Sequence, residues 1–320
     1  KGQVEYLKSK TQGKLVDIYP IGTLSAQQEG KDISEMYDMH QSGAVAFSDD
    51  KKSINNAGLL LRALLYAKNF GGLVMNFPDD KSISGKGVMN EGVESTMLGM
   101  KGIPSIAEEI MLIRDIQLAE YADSSIHFSN ISTAGSVRII KDAKAKGLKV
   151  TADVNAHHLF LDDSFLADFD SHFKVKPPLR TLTDIIALKE GLLEGTLDVI
   201  CSDHTPEDIE NKKLEFEHAS YGIIGLESTF GVLNKSLGES INIADIIAKI
   251  TSNPRKILNL PPISIEKGSK ANLTIFDPNI EWEFQEKHIR SKSKNTPFLG
   301  QKLKGKAIAV INNNQLHYCE

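Results

Sequence analysis

The sequence predicts an α/β fold, namely a TIM-like parallel (β/α)8 barrel followed by a small C-terminal β-sandwich part. Apolar runs of strand length alternate with helical patterns between residues 15 and 203. The polar residues that end these runs fall on their C-terminal side, which is the face where such a barrel carries its chemistry. No glycine-rich phosphate loop follows any run, which disfavours the alternative of a doubly wound open sheet.

Seven runs are predicted to be strands of the parallel sheet, because strands buried on both faces are nearly continuously apolar. In chain order they are 15–24, 44–50, 73–77, 124–133, 149–155, 173–179 and 197–203. Helical patterns lie between them, the longest being "PSIAEEIMLIRDIQLAEYAD" with Pro104 at its start. The chain begins at Lys1 without methionine, so we expect the first barrel strand to lie upstream.

The pattern changes after about residue 262. The segments "ISIEKGSKANLTIFDPNIEWEF" and "KGKAIAVINNNQLHY" read as short alternating strands separated by Gly, Asn and Pro turns. We therefore predict a barrel domain over residues 1–261 and a β-sandwich portion over residues 262–320.

Composition excludes several classes of partner. The chain is 41% hydrophobic and 25% charged with a formal net charge of −5, and it has no basic block, so we expect no nucleic-acid partner. No apolar run approaches the ~18 residues of a membrane helix. Two cysteines, Cys201 and Cys319, do not indicate a disulfide framework. A reducing, cytoplasmic location is the expectation.

Acidic residues at two strand ends are the first candidates for chemistry. Asp203 ends the run "LDVICSD", where a carboxylate could accept a proton from a metal-bound water. The alternative is a helix cap formed by Asp203 or Thr205, and the residues alone leave both open. Asp49 and Asp50 end another strand, where they suit either a divalent metal or a polar turn before two lysines.

The histidines and the buried cysteine favour packing roles. Adjacent His157 and His158 point in different directions, so they rarely share one metal ion, and structural packing is favoured over ligation. His127 lies inside a strand and is predicted to be a satisfied interior histidine. Cys201 has no CxxC partner and no obvious activating base, so packing is predicted there too.

Eight phrases taken together carry a family resemblance. They are "GAVAFSDD", "NEGVESTMLGMKGIP", "VKPPLR", "DVICSDHTPED", "YGIIGLES", "SNPRKIL", "GSKANLTIFDP" and "SKSKNTPFLGQKLKGK". In this order they resemble the long-chain bacterial class of dihydroorotases, in the amidohydrolase superfamily. The resemblance implies zinc at the barrel mouth, a hydroxide nucleophile and an aspartate base. The implied reaction is reversible closure of carbamoyl-aspartate to dihydroorotate in pyrimidine synthesis, with an HxH strand and a substrate-binding arginine upstream of Lys1.

Carried over position by position, the resemblance implies roles for four metal-site positions. Asp50 matches the aspartate that bridges two metals, and Asp203 matches the aspartate that binds metal and moves the proton. Phe77 and Asn130 stand where the family has metal-binding histidines. A phenyl ring has no lone pair for a metal, and an amide oxygen is a poor zinc ligand.

Two substrate-binding positions also depart from the family pattern. Lys176 stands in "KPPLR" where the family has asparagine, and Glu207 stands in "DHTPE" where it has histidine. Glu207 would repel an anionic substrate. We expect Lys176 to offset this charge by pairing with Asp203, Asp50 or Glu207.

These departures predict a catalytically impaired dihydroorotase-like protein with zinc binding reduced or lost. One alternative is an active zinc-dependent dihydroorotase or related cyclic amidohydrolase, with one metal held by Asp50, Asp203 and an upstream HxH pair. Another is a non-catalytic scaffold for aspartate carbamoyltransferase, a role that the resemblance also implies. A zwitterionic substrate bound by Lys176 and Glu207 is a further alternative. The resemblance implies a homodimer.

Overall fold

A six-stranded parallel sheet forms the centre of the computed structural model, which describes residues 1–319. Its strand order is β1-β2-β3-β6-β7-β8, and every adjacent pair is parallel. The strands of this half-barrel are β1 (Ile21–Gly22), β2 (Ala46–Phe47), β3 (Val74–Asn76), β6 (Ile126–Phe128), β7 (Val150–Asn155) and β8 (Val199–Cys201). A separate two-stranded parallel sheet joins β4 (Met89–Asn90) to β5 (Gly102–Ile103). The predicted α/β class is confirmed.

Helices follow the strands. In chain order they are α1 (Gly2–Thr11), α2 (Met36–Gln41), α3 (Ala57–Lys68), α4 (Lys81–Ser84), α5 (Val93–Met97), α6 (Ile106–Ala122), α7 (Ala134–Ala145), α8 (Leu182–Leu193), α9 (Ile209–Lys212), α10 (Thr229–Leu237), α11 (Ile243–Ile250) and α12 (Ser252–Ile257). Within the described residues, none of these helices is long and apolar enough to cross a membrane.

Local sequence explains where the helices that flank the sheet begin. The Asn56 side chain accepts a hydrogen bond from the Leu59 N–H at the start of α3, and Thr133 caps α7 in the same way. Behind these caps, apolar side chains such as Leu60 of α3 and Ile140 of α7 are fully buried in one core cluster with the strands. The caps therefore fix helix starts beside the strand ends that carry the polar residues.

The strand predicted over 173–179 is wrong, so the parallel sheet has six of the seven predicted strands. A 3-10 turn covers Ser171–Phe173, and the chain then continues without regular structure to the start of α8. Pro177 and Pro178 have no N–H to donate to a sheet ladder, which accounts for the absence of strand pairing there. This segment instead forms a loop at the edge where the strands end.

A three-stranded antiparallel sheet follows the helices. Its order is β11-β10-β9, formed by β9 (Asn272–Glu283), β10 (Lys302–Asn312) and β11 (Gln315–Tyr318). Helix α10 packs against β10 so closely that a Cβ on Gly231 would lie 2.9 Å from the Leu303 side chain. The predicted alternating β segment is present, and the domain boundary at residue 262 stays a prediction.

A buried arginine ties the 173–181 loop to three other parts of the chain, namely the two-stranded sheet, the segment before α7 and helix α6. The Arg180 guanidinium donates to the Ser132 hydroxyl at 3.0 Å, to Asn90 Oδ1 at 2.9 Å and to the Ile103 carbonyl at 2.9 Å. Its remaining nitrogen lies 3.7 Å from the carboxylate of Glu108. Burial disfavours both charges, so each depends on the other and on the hydrogen bonds.

We expect Arg180→Met to lower the free energy of unfolding by about 3–5 kcal/mol, because it leaves Glu108 buried without its cation. The exposed Arg62→Met variant is the matched control and should change stability by less than about 0.5 kcal/mol. Urea unfolding followed by circular dichroism measures both. Equal stability losses in the two variants would contradict this account of the network.

Candidate functional site

Polar side chains collect where the parallel strands end. Asp50, Asn130 and Asp203 each follow a strand of the half-barrel, and all three have left-handed backbone angles, with φ of 56°, 61° and 46°. Asp and Asn adopt this conformation more readily than most residues other than glycine. The residue type at each of these three strand ends therefore suits the left-handed turn that the backbone makes there.

The central contact of this edge is an ion pair between Lys51 and Asp203. Lys51 Nζ lies 2.7 Å from Asp203 Oδ2 and also donates to the carbonyl oxygen of Lys176 at 2.7 Å. The side chain of Asp203 is 8% exposed and that of Lys51 is 22% exposed. The Asn155 amide donates to the same Asp203 oxygen at 3.2 Å.

The environment of Asp203 opposes ionisation. Burial raises the pKa of Asp203 to about 6, Lys51 acts in the opposite direction, and the nearby carboxylates of Asp153 and Asp50 raise the pKa further. The carboxylate depends on the Lys51 ammonium for its charge balance. Asp203 does not cap α9, whose first flanking residue is Asp208, so the helix-cap alternative is wrong.

The two acids at the end of β2 have different environments. Asp49 is buried and accepts hydrogen bonds from the Leu24 and Ser25 N–H groups, both at 2.9 Å, and from the Ser25 hydroxyl. Asp50 is exposed, and its own N–H donates to the Ser48 hydroxyl at 3.0 Å. Asp49 therefore holds the β1 end in place, and Asp50 is the acid that faces solvent near Asp203.

Phe77 and Lys176 are neighbours at the same edge. Phe77 is buried, and the Lys176 ammonium lies 5.9 Å from the centre of its ring. The same ammonium is 2.6 Å from Asp79 Oδ2. The expected pairing of Lys176 with Asp203, Asp50 or Glu207 is wrong, because Asp79 takes Lys176.

Asn130 belongs to a hydrogen-bonded group beneath Asp203. Its side-chain amide donates to Asn155 Oδ1 and to Cys201 Sγ, the latter at 3.4 Å, and its backbone N–H donates to Asp153 Oδ1 at 2.8 Å. The Cys201 thiol donates to Asn155 Oδ1 at 2.9 Å, and burial raises its pKa well above the ordinary value. Cys201 therefore remains a thiol with a packing and hydrogen-bonding role, as predicted.

Glu207 lies on the loop that leads into α9. Its N–H donates to Asn295 Oδ1 at 3.2 Å, and its carboxylate accepts from Asn211 at 3.5 Å. Among the hydrogen bonds and ion pairs described for residues 1–319, none joins Glu207 to Lys176 or Asp203. Its role in binding substrate stays a prediction.

The three histidines near this edge are interior groups. His127 lies between the Thr151 hydroxyl at 2.8 Å and the Asp153 carboxylate at 3.0 Å, as a satisfied interior histidine should. His158 Nε2 lies 3.1 Å from the carbonyl oxygen of Pro178, and His157 Nε2 lies 4.0 Å from Asp203 Oδ2. Burial lowers the pKa of both adjacent histidines, that of His158 to about 3.

Two family models match the chain, one described as Dihydro-orotase-like over residues 1–136 and the other as Amidohydrolase family over residues 88–314. A dihydroorotase from Pelotomaculum thermopropionicum is 43% identical over 96% of this chain and 73% of its own length. The chain belongs to the dihydroorotase family. A dihydroorotase from Thermoanaerobacter sp. strain X514 is also 43% identical, over 98% of this chain and 74% of its own length.

Solved structures of other amidohydrolases share the fold. The L-hydantoinase from Arthrobacter aurescens superposes with a TM-score of 0.83 over 98% of this chain and 72% of its own, at 21% identity. A D-hydantoinase structure gives a TM-score of 0.80 at 22% identity. These likenesses establish that the half-barrel and the antiparallel sheet have an amidohydrolase-type arrangement.

The family implies a metal at this edge, and the residues present do not fit one. The Lys51 ammonium is bonded to Asp203, Phe77 offers no lone pair, and the Asn130 amide group is engaged with Asn155 and Cys201. Across residues 1–319 no group of three or more His, Cys, Asp or Glu side chains is arranged to hold a metal ion. Zinc takes three or four such ligands, and the resemblance places two of the family's, the HxH pair, upstream of Lys1.

The predictions from sequence missed Lys51 and Asp79. The pattern predicts only a polar turn before Lys51 and Lys52, and Asp79 lies in "FPDD" without an obvious partner. The available signal was position, because a lysine directly after a strand-end acid faces the same edge as the other strand ends. The partner of each residue lies about a hundred or more positions away in the chain, which local patterns do not reveal.

The buried histidines predict acid sensitivity. His158 has a pKa of about 3 when folded against 6.5 ordinarily, so the unfolded chain binds the proton more tightly. The stability that this residue contributes is present above pH 6.5 and is lost as the pH falls toward 3. At pH 5 the loss is about 2 kcal/mol.

Between pH 7 and pH 5, we therefore expect the free energy of unfolding of His158→Gln to fall by about 2 kcal/mol less than that of the unsubstituted protein. The exposed His218→Gln variant is the control and should keep the original pH dependence. Urea unfolding at both pH values gives the comparison. An unchanged slope in His158→Gln would show that this histidine is not the source of the acid sensitivity.

Proposed function

We propose that this chain is a dihydroorotase-family protein of pyrimidine biosynthesis whose own site is impaired in the family reaction. That reaction interconverts dihydroorotate and carbamoyl-aspartate. The observation that carries the proposal is the contact of Lys51 with Asp203, because the carboxylate that the resemblance assigns to the metal is bonded to an ammonium group. Phe77 and Asn130 support it, since neither supplies the nitrogen ligand expected at its position.

The chemical consequence follows from the nucleophile. Ring opening of a cyclic amide needs an attacking hydroxide, and a bound zinc supplies one by lowering the pKa of water from ~15.7 to ~7. Asp203 could still accept a proton, but a carboxylate alone does not acidify water to that extent. With a pKa of about 6, Asp203 can accept a proton near neutral pH. It would do so without a partner that activates the nucleophile.

Charge at the mouth adds a second obstacle. Dihydroorotate and carbamoyl-aspartate are anions, and the two lysines that face the mouth already pair with Asp203 and Asp79. Binding a substrate carboxylate would require Lys51 or Lys176 to leave its partner. The exposed Asp50 carboxylate near Asp203 further disfavours an anion there.

We expect purified protein supplemented with zinc to contain well below one zinc ion per chain and to show no turnover of dihydroorotate or carbamoyl-aspartate. Elemental analysis and an absorbance assay on the same sample measure this, with the Pelotomaculum thermopropionicum relative as the positive control. Near-stoichiometric zinc with turnover would overturn the proposal and support the alternative of an active zinc-dependent enzyme.

A scaffold role for aspartate carbamoyltransferase is the second candidate, and an exposed apolar stripe favours association. Ile106, Ile110 and Ile113 lie at helical spacing on α6, and all three are exposed. Contiguous apolar surface of this kind marks interaction sites more often than isolated residues do. The same stripe would suit the predicted homodimer.

We expect the chain to co-elute with aspartate carbamoyltransferase in size-exclusion chromatography, and Ile110→Lys/Ile113→Glu to weaken the complex because it places charge in the stripe. Arg138→Glu, on the exposed face of the adjacent α7, is the control. Separate elution of the two proteins at micromolar concentration would remove the scaffold candidate. A shift of the chain alone to dimer size, lost in the double variant, would assign the stripe to the homodimer.

A further inference from the structure

We infer that Lys51 is a tethered cation and that the space its side chain occupies is a binding site for a primary ammonium group. The acids at the strand ends need a positive charge beside them. The Lys51 ammonium supplies that charge, and it is covalently attached to the chain. The inference rests on the proposed function in one respect, that Asp203 is not held by a metal.

The first support is the geometry of the acceptors around Lys51 Nζ. They are one carboxylate oxygen, from Asp203, and one backbone carbonyl oxygen, from Lys176, each at 2.7 Å. An ammonium group has three N–H donors and no acceptor, so two of its donors are bonded here at near-ideal distance. Both acceptors come from loops distant in sequence, 125 and 152 positions from Lys51.

The second support is the surplus of acid at this edge. Asp50, Asp153 and Asp203 interact electrostatically, and Asp153 is already bonded to His127 and to the Asn130 N–H. In the described part of the chain, Lys51 is the one lysine or arginine paired with Asp203. Removing its charge leaves a largely buried carboxylate uncompensated, which is costly.

The third support is selectivity. Zinc prefers nitrogen and sulfur ligands in a tetrahedral set, and calcium takes six or more oxygens. The Asp203 carboxylate oxygen and the Lys176 carbonyl oxygen do not make up the ligand set of either metal ion. Two such acceptors match the N–H donors of an ammonium group. The Lys51 side chain tethers the ammonium to the site and gives it an effective concentration in the millimolar range or above. A free ion would have to compete with that concentration.

The experiment is chemical rescue of Lys51→Ala. This truncation removes three carbons and the ammonium nitrogen of the side chain, and propylammonium has the same atoms. We expect Lys51→Ala to lower the melting temperature by about 5 °C, and propylammonium chloride at about ten times its dissociation constant to restore about half of that loss. The unsubstituted protein should not respond, because Lys51 fills the site.

Two controls separate this effect from salt and from general destabilisation. Tetramethylammonium chloride at equal ionic strength has the charge without an N–H donor and should not rescue Lys51→Ala. Lys52→Ala removes the neighbouring exposed lysine and should neither destabilise nor respond. A Lys51→Ala variant as stable as Lys52→Ala, or one rescued equally by both salts, would overturn the inference.

A variant that fails to fold is also informative. In that case Lys51→Ala/Asp203→Asn, which removes both charges, should fold, and failure of this double variant would overturn the cation role. Zinc content separates the two proposals. Zinc bound to the unsubstituted protein would overturn the proposed function, whereas zinc-free protein without amine rescue would overturn this inference alone.

Discussion

Parallel strands bring the side chains at their carboxyl ends to one edge of the sheet, and this geometric constraint governs the rest of the structure. Here the edge collects the acids Asp50, Asp153 and Asp203 from three strands. Asp153 and Asp203 are largely shielded from water, so carboxylates placed so close together need a positive charge nearby. In this chain a lysine from the loop after β2 provides the charge, and the Asn155 amide adds a hydrogen bond to the same Asp203 oxygen.

Two of the positions that depart from the family resemblance, Phe77 and Lys176, are neighbours in the structure. Phe77 presents its ring to the Lys176 ammonium, which pairs with Asp79, while the Lys176 backbone accepts from Lys51. Positions 77 and 176 are far apart in the sequence, so only the fold shows that they share one set of contacts.

Sequence reasoning reached the fold and the strand ends, because both depend on local patterns. Apolar runs predicted the half-barrel strands, and the acids at positions 50 and 203 lie where those runs end. The predicted strand over 173–179 failed because apolar character alone does not reveal that Pro177 and Pro178 lack ladder donors. The partners of Lys51 and Lys176 could not be predicted, since they depend on how loops far apart in sequence fold over one edge.

The left-handed turns at positions 50, 130 and 203 have an evolutionary consequence. Asparagine, aspartate and histidine are all enriched in that conformation, so these residues can replace one another there with little change in backbone energy. At position 130, an exchange between histidine and asparagine would therefore cost little backbone energy. The backbone at this strand end can accept either a ligating or a non-ligating side chain without a change of fold.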